Sequence, residues 1–199
     1  MSLIIGLTGS IASGKSTVSS MLAELNIPIV DADKIAREVV HPGEEAYSTV
    51  VRVFGAEILK SDQTLDRKKL GAIIFADEKK RDQLNNIIHP AIRKKMLEQR
   101  DAYVKFGEKC VVLDIPLLFE SKLTHYIEKI IVVSVDEEVQ LERLMSRDKY
   151  TQEEAQQRIK SQIPVRDKAK LADAVIDNNG TPEETYEQLI KLLKSWFVI

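Results

Sequence analysis

Between an apolar run, Ile4-Ile5-Gly6-Leu7-Thr8, and an amphipathic one with Val18, Met21, Leu22 and Leu25 at helical spacing, the chain reads Gly9-Ser10-Ile11-Ala12-Ser13-Gly14-Lys15-Ser16-Thr17. Strand, glycine-bracketed loop and helix in that order leave the backbone few choices. The glycines let the loop wrap with its N–H groups pointing inward, and the helix turns its N-terminus to the same spot. The segment therefore predicts a phosphate-binding loop suited to a triphosphate. In it Lys15 is the point charge that reaches the β- and γ-phosphates. The Ser16 hydroxyl supplies one oxygen to a Mg²⁺ that otherwise keeps mostly water, and Thr17 carries the helix on. The same residues also read as an ordinary Gly/Ser turn between strand and helix.

With 199 residues the chain can bury a full core as one domain with insertions. A formal net charge of −2 argues against a nucleic-acid or anionic-membrane surface, and no apolar run approaches the length of a membrane span. The oligomeric state is left open. A single cysteine, Cys110, permits no internal disulfide, and with a chain that enters a strand at once it points to the cytoplasm. Cys110 reads as a buried small residue, and His41, His89 and His125 lack ligand spacing.

After the first helix, Ile29-Val30-Asp31-Ala32-Asp33 reads as a second strand, which projects Asp31 and Asp33 from one face at its carboxyl end. The alternative is that one of them caps the next helix. From residue 34 to 107 apolar residues recur at three and four, with breakers at His41-Pro42-Gly43, Gly55, Asp77 and His89-Pro90. This predicts a helical insertion, placed where a phosphoryl acceptor would be gripped. Cys110-Val111-Val112-Leu113-Asp114-Ile115 is a strand buried on both faces, whose Asp114 emerges at the ligand edge to orient metal-bound water or serves as a turn or cap acid. Pro116-Leu117-Leu118-Phe119-Glu120 lines a pocket or covers the sheet. Lys129 to Val135 is a fourth strand, with Asp136 capping the helix after it. Arg143, Arg147, Arg158 and Arg166 then fall in a polar stretch where Thr151 and Glu154 form a capping box, giving either a cationic lid or solvated helices. Ala174-Val175-Ile176-Asp177 is a fifth strand, and Pro182 opens the last helix.

Strands alternating with helices behind a phosphate loop predict a three-layer α/β fold around a parallel sheet of about five strands. A guanine-reading Asn-Lys-x-Asp is absent, and the length is small for a motor or DNA-dependent ATPase. What remains is a small-molecule kinase of P-loop fold. Its expected parts are a core at 1–33, 108–139 and 171–199, a helical acceptor-binding insertion at 34–107 and a helical lid at 140–170. A lid keeps ATP from being wasted on water.

Gly6-Leu7-Thr8-Gly9 with Ser13-Gly14-Lys15-Ser16, Asp31-Ala32-Asp33 with Ile35-Ala36-Arg37, Leu65-Asp66-Arg67, His89-Pro90, Asp114 through Glu120, Gln140 with Arg143 and Arg147-Asp148, Arg158 with Gln162, and Ala172 through Asn178 run nearly end to end. In these motifs the chain resembles the dephospho-CoA kinase family. Ser10 and Ala12 stand where the family often has glycine. The resemblance implies ATP-dependent phosphorylation of the ribose 3′-hydroxyl of dephospho-coenzyme A, with Mg²⁺. It implies Asp33 as the base, Lys15, Arg143 and Arg147 on the transferring phosphoryl group, and Asp31, Arg67, His89 and Pro116, Leu117, Leu118, Phe119 and Glu120 as acceptor-site elements. The turn at Asn178 becomes the adenine edge. Another nucleotide or small-metabolite kinase, and a nucleotide-binding protein without catalysis, are the alternatives.

Overall fold

The computed structural model describes residues 2–199. The chain forms two compact units, the first running to Val30 and resuming at Arg100–Ile199, the second Asp31–Gln99.

In the first unit lie β1 (Leu3–Gly9), α1 (Lys15–Glu24), β2 from Ile29, β3 (Cys110–Asp114), β4 (Lys129–Ser134), α6 (Glu137–Asp148), α7 (Gln152–Lys160), α8 (Val165–Ala169), β5 (Ala174–Asp177) and α9 (Pro182–Ser195). The expected five-stranded sheet is present, ordered β2-β3-β1-β4-β5, with β3 and β4 parallel to β1 and β5 parallel to β4. β1 is therefore central. The loop that leaves it opens in the middle of the carboxyl edge, where an open α/β sheet presents ligands. Ile5, Leu7, Val112, Ile131, Val133 and Ile176 are buried together with Val18, Met21 and Leu22 of α1 and Leu189 and Leu193 of α9. Apolar spacing along two helices thus becomes one core. The expected capping box of Thr151 with Glu154 forms at α7, Pro182 opens α9 as expected, and the structure adds a second box there, Thr181 with Glu184. Asp136 holds the N-cap position of α6 but its side chain makes no capping bond.

Cys110 is buried, and burial raises its thiol to about 12 from an ordinary 9.0. Iodoacetamide at pH 8 is therefore expected to leave the folded protein unlabelled and to modify it in denaturant; labelling of the folded chain within minutes would contradict this burial.

The second unit holds α2 (Ala32–Glu38), α3 (Glu45–Phe54), a 3₁₀ turn at Ala56–Ile58, α4 (Arg67–Ala76) and most of α5 (Glu78–Phe106). Its compact bounds differ from 34–107 because β2 (Ile29–Asp31) gives way at once to α2 and because α5 continues past Gln99. Ile35, Val50, Ile58 and Met96 are fully or almost fully buried.

Two sequence expectations are corrected. His89-Pro90 is no break, since α5 runs through Pro90 for 29 residues. Proline removes one N–H and crowds the preceding turn, at a cost of about 3 kcal/mol in an isolated helix. Here helix-favouring residues on both sides and buried Leu84 and Met96 carry the helix across it. The second strand does not reach Asp33. It ends at Asp31, whose carboxylate accepts from the Lys34 N–H at 2.9 Å and caps α2. Asp33 then lies in the first helical turn, so the two acids do not share a strand face.

Candidate active site

The loop from Gly9 to Gly14 is held by the first unit's own side chains. Gly14 is left-handed, with φ +87°, and a Cβ there would fall on the Asn178 amide. A Cβ at Gly9 would meet the Ser13 hydroxyl and lie 3.0 Å from the Val133 carbonyl. Both positions therefore need glycine for space, and Gly14 needs it for backbone conformation as well. Ala12 also sits at positive φ, +59°, a strained conformation that glycine adopts freely. Ser10 is buried and donates to the Ile163 carbonyl at 3.2 Å, so its hydroxyl ties the loop down where glycine could not.

The loop's polar groups are met from three further elements. The buried Gln140 of α6 donates to the Ile11 carbonyl at 2.7 Å, and the Gln162 side-chain oxygen accepts from the Ile11 N–H at 2.9 Å. Asn178 donates to the Ser13 carbonyl at 2.9 Å and accepts from the Thr185 hydroxyl at 2.9 Å. Both ends of its amide are thus committed to scaffolding, so the structure gives Asn178 a job of holding the loop. No side chain caps α1. The Ser13 hydroxyl is buried without a hydrogen-bond partner among the described residues. An uncapped helix start beside an unpartnered donor is what an anion completes.

Lys15, in the first turn of α1, forms an ion pair with Asp114, whose side chain is 4% exposed. Register explains the meeting. Asp114 lies opposite Leu7, two residues before the loop departs at Gly9. The Arg143 guanidinium lies 3.8 Å from where a Gly14 Cβ would be, and it has no ion pair among the described residues. Arg147 is instead forked onto Asp148, with two bonds of 2.9 Å that raise the guanidinium pKa and lower that of the carboxylate. Arg158 stacks over Tyr150, 4.3 Å from the ring centroid, and Arg166 faces Glu137 at 3.8 Å.

In the turn after β3, Leu118 is fully buried and Leu117 exposed, while Pro116 and Phe119 are half-buried. Glu120 pairs with Lys168 at 2.8 Å. Lys168 is the residue that sequence reasoning missed. It is 0% exposed, yet it stands in a run of charged residues, Arg166 to Lys170, that reads as a solvated helix. No local signal marked it.

In the second unit Asp33 is exposed and makes no hydrogen bond or ion pair among the described residues. Arg67 opens α4, which Asp66 caps with two 3.1 Å bonds. Together with Arg37, His41, Lys60 and Lys68, Arg67 lines a cavity of about 300 Å³. His89 is exposed midway along α5.

A family model described as dephospho-CoA kinase matches residues 3–184. This chain belongs to the dephospho-CoA kinase family. A dephospho-CoA kinase of Oceanobacillus iheyensis is 59% identical over 98% of this chain and 98% of its own. A solved dephospho-CoA kinase from Campylobacter jejuni superposes with TM-score 0.76 at 34% identity, covering 98% of each chain. A shikimate kinase from Aquifex aeolicus, at TM-score 0.52 and 19% identity over 98% and 99% of the two chains, shares the fold. The chain is an ATP-dependent kinase that transfers phosphate to a hydroxyl. No described helix is long and apolar enough to cross a membrane.

Proposed function

We propose that this chain transfers the γ-phosphoryl group of ATP to the ribose 3′-hydroxyl of dephospho-coenzyme A, completing coenzyme A in the cytoplasm. The observation that carries this reading is the braced, uncapped phosphate loop in a chain of this family. The acceptor oxygen forms a bond to the γ-phosphorus as the bond to the β-bridging oxygen breaks. ADP leaves, and the hydroxyl proton passes to Asp33. Asp31 shapes the start of α2 around that base. Arg67, His89 and the residues from Pro116 to Glu120 hold the acceptor, with the helical insertion as its grip and 140–170 as the lid.

The residues present suit Mg²⁺. Among the described residues no group of three His, Cys, Asp or Glu could hold a metal, so the chain offers no closed cage. The Ser16 hydroxyl would supply one hard oxygen to the ion and the Asp114 carboxylate would orient a water bound to it, which suits a cation that takes one or two protein ligands and keeps water and phosphate oxygens. When bound it neutralises phosphate charge.

Coupled ADP release with a panel of acceptors tests the reading. Dephospho-coenzyme A is expected to give turnover that EDTA abolishes and Mg²⁺ restores. Turnover with another hydroxyl compound and none with dephospho-coenzyme A would overturn it.

Arg143 is already beside the loop, whereas Arg147 must leave Asp148 to act. Arg143→Ala is therefore expected to lower kcat more than it weakens ATP binding, and by more than Arg147→Ala does. Equal losses of ATP affinity and kcat/KM, with kcat unchanged, would make both arginines ground-state anchors.

A further inference from the structure

All three protons of the Lys168 ammonium have acceptors: Glu120 Oε1 at 2.8 Å, the Gly9 carbonyl at 3.2 Å and the Pro116 carbonyl at 3.4 Å. Desolvating a fully buried ammonium is expensive, and an apolar side chain of similar volume commonly fills such a site at lower cost. A lysine here therefore asks for a reason beyond packing. Its contacts close a ring. Glu120 Oε1 also accepts from the Ile163 N–H at 3.2 Å, and the Ile163 carbonyl accepts from the Ser10 hydroxyl at 3.2 Å, beside Gly9. Any shift of Glu120 moves Lys168 and Ile163, and each of these holds one of the first two residues of the phosphate loop. The other carboxylate oxygen, Glu120 Oε2, is buried and has no hydrogen-bond partner among the described residues. Glu120 is thus anchored on one oxygen, while the other has room in its valence for a donor.

We propose that Lys168 is the positioning residue that couples the phosphate loop to the 116–120 turn, so that a ligand at one changes affinity at the other. This rests on the reading of that turn as part of the acceptor site. Lys168 touches no substrate. It acts through the Gly9 carbonyl on one side and through Glu120 and Pro116 on the other.

The test is titration of ADP, by calorimetry, with and without saturating dephospho-coenzyme A. In the wild-type chain the acceptor is expected to change the ADP Kd by at least about fivefold, the lower end of usual coupling. In Lys168→Met each ligand still binds alone, and the factor falls below about twofold. A Lys168 that only supports the fold predicts otherwise: its replacement lowers Tm and leaves the factor intact, and that result overturns the proposal. If Lys168→Met does not fold, Glu120→Ala, which removes the shared acceptor and leaves Lys168 its two carbonyls, is measured in the same way at dephospho-coenzyme A concentrations that its own titration shows to be saturating; a reduced factor supports the coupling and an unchanged one refutes it. Wild-type turnover without coupling sinks this proposal alone. No wild-type turnover of dephospho-coenzyme A sinks the acceptor reading, and this proposal with it.

Discussion

Lys15→Ala is expected to lower kcat by at least about 10²–10³-fold, the loss that follows removal of one donor aimed at developing charge. It is also expected to destabilise the fold. Lys15 is the ion-pair partner of Asp114, and the two side chains are only 19% and 4% exposed. Removing Lys15 takes a close cation away from a buried carboxylate, which lowers stability. The two effects separate in a double variant. Lys15→Ala with Asp114→Asn should regain most of the lost stability in urea melts and none of the turnover in coupled ADP release. A single variant that turns over within a few-fold of wild type would remove Lys15 from the phosphates, whatever its stability.

Asp33→Asn is expected to cost roughly 10²- to 10⁴-fold in kcat, the range for a positioned general base, while dephospho-coenzyme A still binds. The fold makes this a cleaner test than spacing alone suggested. Capping of α2 falls to Asp31, and the Asp33 carboxylate is exposed and makes no hydrogen bond or ion pair among the described residues. Loss of its charge from the first turn of a helix costs about 0.3–1 kcal/mol, so stability should fall only slightly. Asp31→Asn is the control, since asparagine caps as well as aspartate, and it should retain both stability and most turnover. Near-normal kcat in Asp33→Asn, or a larger loss at Asp31, would move the base elsewhere.

Much was legible in the sequence because it is written in short-range periodicity and turn chemistry. The phosphate loop, the doubly buried strand ending at Asp114, the Thr151 capping box and the order of strands and helices are local patterns, and local backbone physics realises them. Two readings failed where a local signal met a stronger neighbour. Asp31-Ala32-Asp33 looks like a strand end, yet the capping alternative holds, the Asp31 side chain satisfying the Lys34 N–H and the helix starting at Ala32. His89-Pro90 looks like a stop, yet a helix of 29 residues absorbs one missing hydrogen bond.

By itself, then, the sequence determined the fold class, the place of the phosphate loop and, through motifs running from Gly6 to Asn178, the family. Tertiary structure alone decided which side chains hold that loop. Gln140, Gln162 and Asn178 reach it from 129, 151 and 165 residues away, and Lys168 reaches Gly9 from 159. No window of sequence contains such pairs. A buried lysine and a solvated one read alike along a chain, and only packing that closes around three acceptors removes Lys168 from water.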